Sequence, residues 1–498
     1  MADFPENRAS SDRDADGSEA NVFEPNTISR ESEETQANPR GRAGRTQLID
    51  PNAELTTGTV AKIAMKLAVP SVAENLLMSL VGMMDMMMVS KIGPAAIAAV
   101  GATNQPIFFS TAVFQALNVG TTALVARLIG AGDHKQANEA ARQTLVLVTI
   151  LSVIISVIMF FLAEPILLFM KCEPDTMVYA MDYYRIVIVS LFFSMLTMAI
   201  NAQVRGAGDT NTPMINNTAV NLINLVFNYL LINGVFGFPR LEVAGAAWAT
   251  LLSRVVGMFM ALYVVSTGKN NITIPWRDKF SFNWDIARRV AKVGMPSMIE
   301  QLFMRGGNLI YTTVVTGLGT TTYAAHLVAM NISQLSMSPG MGFGMAATTL
   351  VGQSLGAKRP DWAKECGWVT QKMSMTWAIP MTLLFFFGGE FVAKFYSDDP
   401  EVISMAVNVI RIVAFTQIPQ ISQFVLGGAL RGAGDTKWPL ISTFIGVWGF
   451  RVVLGFFLVN TMELGLNGAW LALAIDQLAR SGIILYRYWS GKWTSIKV

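Results

Sequence analysis

Residues 205–210 read Arg-Gly-Ala-Gly-Asp-Thr, and residues 431–436 repeat them letter for letter, 226 positions further on. Working outward, the same offset pairs Pro213 with Pro439, Pro70 with Pro296, Ser71 with Ser297 and Glu74 with Glu300. It also pairs Gly93 with Gly319, Ala98-Ala99 with Ala324-Ala325, Gly130-Ala131 with Gly356-Ala357, Arg185 with Arg411 and Arg254 with Arg480. Agreement on one offset from residue 70 to residue 254 marks an internal duplication, and the fold must be read as one unit used twice.

The unit is hydrophobic. Of the 498 residues 52% are apolar and only 14% charged, whereas a soluble domain carries roughly a quarter charged residues. A soluble enzyme is excluded by that shortage of polar surface. Two cysteines, Cys172 and Cys366, cannot build a disulfide framework, and two histidines, His134 and His326, cannot build a His-rich metal site. Residues 1–58 stand apart, with 12 acids and 6 arginines that leave the remainder at a net charge of +9. With few apolar residues to bury, this segment is expected to be a disordered cytoplasmic tail rather than a targeting signal.

From Ala61 onward, apolar stretches of about 20 residues, the length that spans a bilayer, alternate with short polar joints. Twelve are expected, at 61–90, 95–127, 142–163, 178–203, 212–233, 243–267, 286–316, 321–354, 367–388, 402–429, 437–460 and 466–489. No backbone polar group can go unpaired in lipid, so each reads as a helix and the protein as all-α. One set of joints holds most of the Lys and Arg, including Arg127, Lys135, Arg205, Lys269, Arg288, Arg289, Lys358, Arg431 and Lys437. Positive residues face the cytoplasm, which puts both termini there in a multi-pass cell-membrane protein. Each repeat has six crossings, an even number. The two halves, 59–284 and 285–498, therefore enter the membrane the same way up, as parallel six-helix lobes related by a pseudo-two-fold along the membrane normal.

An ionisable side chain at the bilayer centre costs about 2.5–3.5 kcal/mol or more on insertion scales and needs a partner or a wet cavity. Helix 1 carries Glu74 and Asp85; helix 7 carries Glu300 and Arg305. Proton or cation binding is one reading of these acids, with a sodium ion conceivable at Asp85. A salt bridge inside each lobe is the other. On helix 5, Asn217, Asn221, Asn224 and Asn228 follow at spacings of 4, 3 and 4, one face of a helix. At the offset of 226 stand Thr443, Val447, Phe450 and Leu454, nearly apolar. The N-terminal lobe is thus expected to handle the ion, with Glu74, Glu300, Asn217 and Asn221 lining a substrate cavity, unless the amides serve as interhelical glue. The repeated Arg-Gly-Ala-Gly-Asp-Thr lacks the Lys-Ser/Thr ending of a phosphate loop and reads as a tight turn with an Arg–Asp pair. His326 reads as a packing histidine. Met83, Met84, Met86, Met87, Met88, Met337, Met341 and Met345 read as lipid-facing or interhelical packing, or as a deformable binding surface.

Together, the doubled Arg-Gly-x-x-Asp-Thr, Pro70 with Asp85, Gly93 and the Ala-rich start of helix 2 resemble the multidrug and toxic compound extrusion (MATE) family over about residues 58–490. In such proteins a helix-1 Asp with polar residues on helices 5 and 6 binds H+ or Na+. The resemblance implies that role for Asp85, Asn224, Asn228 and Thr250. Many relatives have an acid where Asn228 stands. Other branches place a helix-7 Glu where this chain has Met304, so the resemblance implies a cation role for Glu300 with Asp435 only by a shift of one turn.

The resulting expectation is a secondary-active exporter exchanging H+ or Na+ for small amphipathic, cationic organic compounds. It would act as a monomer among membrane lipids, with no cofactor and no nucleic-acid partner. The alternative is a lipid-linked oligosaccharide flippase of the wider superfamily; such a protein is expected to line its cavity with several arginines.

Overall fold

In a computed structural model, which describes Leu48 and residues 56–170, 172, 174–268, 271–274, 282–396 and 398–496, every long element is a helix. The tail expected over 1–58 lies outside the described residues, apart from Leu48 and residues 56–58. The first six long helices are α1 (Thr57–Ser90), α2 (Pro94–Gly130), α3 (His134–Phe161), α4 (Pro174–Gly206), α5 (Asn211–Asn233) and α6 (Glu242–Thr267). The second six are α7 (Trp284–Thr316), α8 (Thr320–Gly356), α9 (Pro360–Lys394), α10 (Pro400–Gly432), α11 (Lys437–Thr461) and α12 (Gly465–Trp489). Ten of these described helices are long and apolar enough to cross a membrane by length and composition. The remaining two are α7, which carries Glu300 and Arg305, and α8, rich in Ser, Thr and Gly. Both lie at the junction of the lobes, where less of the surface meets lipid.

Helices outrun the apolar stretches because a helix ends where its backbone is capped, not where its first charge occurs. Asp133 caps α3 through the Gln136 amide (2.9 Å), nine residues before the apolar run begins. Asn283 caps α7 and Asp399 caps α10 in the same way. The duplication extends to turn conformation: Gly93 and Gly319, which open α2 and α8, have φ of 146° and 103°, a region open to glycine.

One fold appears in two copies. Helices α1–α6 form one six-helix lobe and α7–α12 the other, in parallel, about a pseudo-two-fold along the membrane normal. The lobes meet through α1 against α8 and α9, and α2 against α7 and α8. Small residues permit this approach. A Cβ on Gly130 of α2 would lie 2.1 Å from the Gln353 carbonyl oxygen of α8, and one on Gly356 would lie 2.1 Å from the Arg127 oxygen of α2. Positions 130 and 356, like 127 and 353, are related by the repeat. Arg127 Nη2 donates to the Ala433 carbonyl (2.9 Å), while Gln353 Nε2 donates to the Gly206 carbonyl (3.1 Å). Each lobe therefore grips the Arg-Gly-Ala-Gly-Asp-Thr turn of the other, at the end of the bundle that holds most Lys and Arg (the basic end).

Helix α11 departs from regularity. It passes into wider, π-type turns over Phe444–Val452 and again over Phe457–Thr461. Within the first of these a Cβ on Gly446 would lie 2.2 Å from Asp476 Oδ1 and 2.3 Å from Arg480 Cγ. Such widened turns collect at functional or strained positions, and here one makes room for buried charges on α12.

Candidate functional site

Position equivalents place the polar side chains in matched sets. In the first lobe Glu74, 6% exposed, accepts from Arg205 Nη1 at 2.9 and 3.1 Å and from Asn217 Nδ2 at 2.5 Å. Asn201 Nδ2 donates to Asn217 Oδ1 at 3.2 Å, extending the network into α4. The second lobe repeats the pattern: Glu300 accepts from Arg431 Nη2 at 2.5 Å and from Thr443 Oγ1 at 3.4 Å. The arginines of the repeated turns thus reach the helix-1 and helix-7 glutamates. This corrects the expected Arg–Asp pair within the turn: Asp209 instead caps α5 through the Asn211 and Thr212 amides. Asp435 pairs with Arg487 Nε at 2.7 Å, so Arg487, not Glu300, engages its carboxylate. A buried carboxylate needs a counter-charge, and the duplicated Glu–Arg pair supplies it in both lobes.

The asparagine stripe of α5 runs beside α1 in register. Asn217 donates to Glu74, and eleven residues later Asn228 Nδ2 donates to Asp85 Oδ1 at 2.7 Å. Asn221 lies half-buried between them. Asp85 is half-buried, while Asn224 and Asn228 are 7% and 3% exposed. Asn228 Nδ2 also reaches Asn224 Oδ1 (3.1 Å), and Asn224 Nδ2 reaches Thr250 Oγ1 (3.4 Å). With its nitrogen rather than its oxygen facing Asp85, the Asn224 amide donates to the two Asp85 oxygens at 3.3 and 3.2 Å. That orientation suits a carboxylate. With the oxygen turned toward Asp85, only a protonated acid or an intervening cation satisfies both groups. Among the described residues Asn228 Oδ1 is buried without a hydrogen-bond partner. Asp85, Asn224, Asn228 and Thr250 thus form one hydrogen-bonded cluster whose oxygens are of the donor type hard cations prefer. The guanidinium of Arg254 acts electrostatically on Asp85.

In the second lobe the equivalents of Asp85, Asn224, Asn228, Thr250 and Arg254 are Tyr311, Phe450, Leu454, Asp476 and Arg480. Asp476 is fully buried. It pairs with Arg451 through Nη2 and Nε and with Arg480 Nε (3.2 Å), while Arg451 Nη1 donates to Asn308 Oδ1. Sequence reasoning missed this cluster. The available signal was the Arg254–Arg480 match, four residues before which the same offset sets Thr250 against Asp476. His326 is buried among Tyr311, Tyr323 and Trp470, the packing role expected of it. Met83, Met84, Met86, Met87 and Met341 are exposed. Among the described residues no group of three His, Cys, Asp or Glu could hold a metal.

Comparison with known proteins agrees with this geometry. The MatE family model matches twice, at residues 70–230 and 296–457, the two windows lying at the offset read from the sequence. A probable multidrug resistance protein NorM of Thermotoga maritima is 31% identical over 445 residues, covering 87% of this chain and 93% of its own. Multidrug resistance protein PmpM of Pseudomonas aeruginosa is 29% identical over 443 residues, covering 84% and 91%. Among solved structures, a MOP superfamily transporter from Pyrococcus furiosus is 25% identical with a TM-score of 0.81, covering 88% and 97%. An outward-facing multidrug resistance MATE family transporter is 24% identical, also with a TM-score of 0.81. Two windows of one family model, on the two halves of one duplicated helical fold, settle the assignment: the chain belongs to the MatE family of multidrug and toxic compound extrusion proteins, membrane transporters rather than enzymes.

Proposed function

We propose that this protein is a secondary-active exporter that exchanges inward H+ or Na+ for outgoing small amphipathic organic compounds by alternating access. The names of its relatives support multidrug efflux. In this reading the basic end faces the cytoplasm, a single chain among membrane lipids is the working unit, and the coupling ion is the sole cofactor. Asp85 carries the coupling. It is the acid joined to amide and hydroxyl groups in one cluster, with no equivalent carboxylate in the other lobe, and this asymmetry is the observation on which the proposal rests.

In this reading the Asn224 amide reports the charge on Asp85. A carboxylate draws the amide nitrogen; a bound proton or cation draws the amide oxygen and frees the nitrogen for Thr250 on α6. Charging or discharging Asp85 thus re-pairs α1, α5 and α6 with one another. Coupling arises if the two pairings favour different arrangements of the lobes. The cationic cargo expected from the sequence relied on deprotonated Asp85 and Glu300. Glu300 pairs with Arg431, so its charge is offset by an arginine and that expectation rests on Asp85.

The test is dye efflux from proteoliposomes under separately imposed Na+ and H+ gradients. Asp85→Asn should remove gradient-driven efflux while leaving insertion and dye binding intact. Undiminished driven efflux by this variant would overturn the assignment of Asp85.

A further inference from the structure

Helices α1, α2, α7 and α8 wall the space between the lobes. Beyond their basic-end turns these helices contribute four charged side chains: Glu74, Asp85, Glu300 and Arg305. Glu74 and Glu300 are buried against Arg205 and Arg431. Asp85 is turned into the first lobe, on Asn228. Arg305 differs from all three. It is exposed and has no ion pair among the described residues; its guanidinium carbon lies 4.9 Å from the ring centroid of Phe108 on α2, in the opposite lobe.

That contact fixes where Arg305 points. Closer to the basic end α2 and α7 are tightly packed, for a Cβ on Gly294 would lie 2.7 Å from the Ala116 carbonyl oxygen and one on Gly120 2.4 Å from that of Val290. Further along, Phe108 is 42% exposed and Arg305 leans over it. An arginine at this depth cannot face acyl chains cheaply, and its partner ring belongs to the other lobe. The side chain therefore lies in the interlobe cleft. At the positions related by the repeat, Phe108 corresponds to Gln334 and Arg305 to Ser79. Gln334 is exposed, and Met341, seven residues further along the same face of α8, is 37% exposed. The pair thus sets one cation over an aromatic face, with an amide and a hydroxyl at the repeat-related positions and an exposed thioether on α8.

We infer that Arg305 and Phe108 form a substrate subsite for an anionic group, a carboxylate or sulfonate, attached to an aromatic or apolar body. Resting on the exporter reading, this gives its cargo a class: amphipathic organic anions, and zwitterions bound through their negative end. The guanidinium takes the acid by paired hydrogen bonds, and the Phe108 ring carries the flat body beside it. With the cleft glutamates neutralised, a purely cationic amphiphile meets an unopposed like charge.

Two dyes of similar size test this on the full-length protein: fluorescein, with a free carboxylate, and a cationic rhodamine methyl ester. By fluorescence anisotropy in detergent, the wild type should bind fluorescein at least tenfold more tightly than the rhodamine. Arg305→Gln should weaken fluorescein about tenfold or more and leave the rhodamine unchanged or tighter, while Arg305→Lys, which keeps the charge but not the paired hydrogen bonds, should weaken fluorescein less than Arg305→Gln does. A wild-type preference for the rhodamine, or an equal loss of both dyes in Arg305→Gln, would overturn the subsite; so would Arg305→Lys behaving like Arg305→Gln for both dyes. The same dyes in proteoliposomes separate the two proposals. Arg305-dependent fluorescein binding without any gradient-driven movement of dye would sink the exporter reading alone. Driven efflux with no discrimination by charge would sink the subsite alone.

Discussion

Adding one methyl group at the lobe crossing should tilt the transporter's conformational balance. In Gly130→Ala the new Cβ would stand 2.1 Å from the Gln353 oxygen, and in Gly356→Ala 2.1 Å from the Arg127 oxygen. Ordinary packing requires the chains to part by about 1 Å, and overpacking of this kind typically costs about 1–3 kcal/mol. The residues pushed aside, Gln353 and Arg127, are also those that hold the turn of the opposite lobe, at 3.1 and 2.9 Å, so those bonds stretch with them. The cost falls on the arrangement in which the basic end is closed. The ratio of closed to open should drop roughly 5–150-fold, by similar factors in the two variants because the repeat makes the clashes equivalent. Spin-label pairs can read this in a background with Cys172 and Cys366 replaced by Ser. Labels at Lys135 and Asp361, exposed repeat-related positions at the basic end, should move apart. Labels at Ser90 and Thr316, exposed at the other end, should approach one another. Gly101→Ala, with nothing within 4 Å of the new methyl, is the control and should change neither distance. Unaltered distance distributions in folded, monodisperse Gly130→Ala and Gly356→Ala would refute the claim that this crossing seals the closed state.

Other expectations can be checked more briefly. Asp476→Asn leaves Arg451 and Arg480 buried without their counter-charge, so unfolding in detergent should be easier by about 3–5 kcal/mol; replacing Asp476 and Arg451 together by apolar residues should cost less, as measured by thermal melting. Gly446→Ala should destabilise by about 1–3 kcal/mol, because its Cβ would collide with Asp476 and Arg480. Asn217→Ala should be more damaging than Thr443→Ala, by about 1 kcal/mol in chemical denaturation. Asn217 bonds Glu74 at 2.5 Å and accepts from Asn201, whereas Thr443 meets Glu300 at 3.4 Å.

Much of this protein was legible before any coordinates. The offset of 226 fixed the duplication, the scarcity of charge fixed the membrane environment, and the even number of crossings fixed parallel lobes. Those properties depend on composition and period alone, which a linear reading preserves. The Asn217–Asn228 stripe was legible too, since a spacing of 4, 3 and 4 defines one helical face without any knowledge of what lies opposite. Pairing was not. Which arginine neutralises Glu74 depends on α4 ending beside α1, 131 residues away in the chain, so a turn read locally as an Arg–Asp pair proved to be two separate contacts. Asp476 was overlooked for the same reason: a lone acid on an apolar helix shows its meaning only when Arg451, 25 residues earlier, comes to face it from α11. Sequence determines which polar groups must be sheltered from lipid. Tertiary structure alone decides which partner shelters each, and hence which charge, here that of Arg305, is left facing the cleft, because electrostatic pairing is set by distances of a few ångströms that only packing defines.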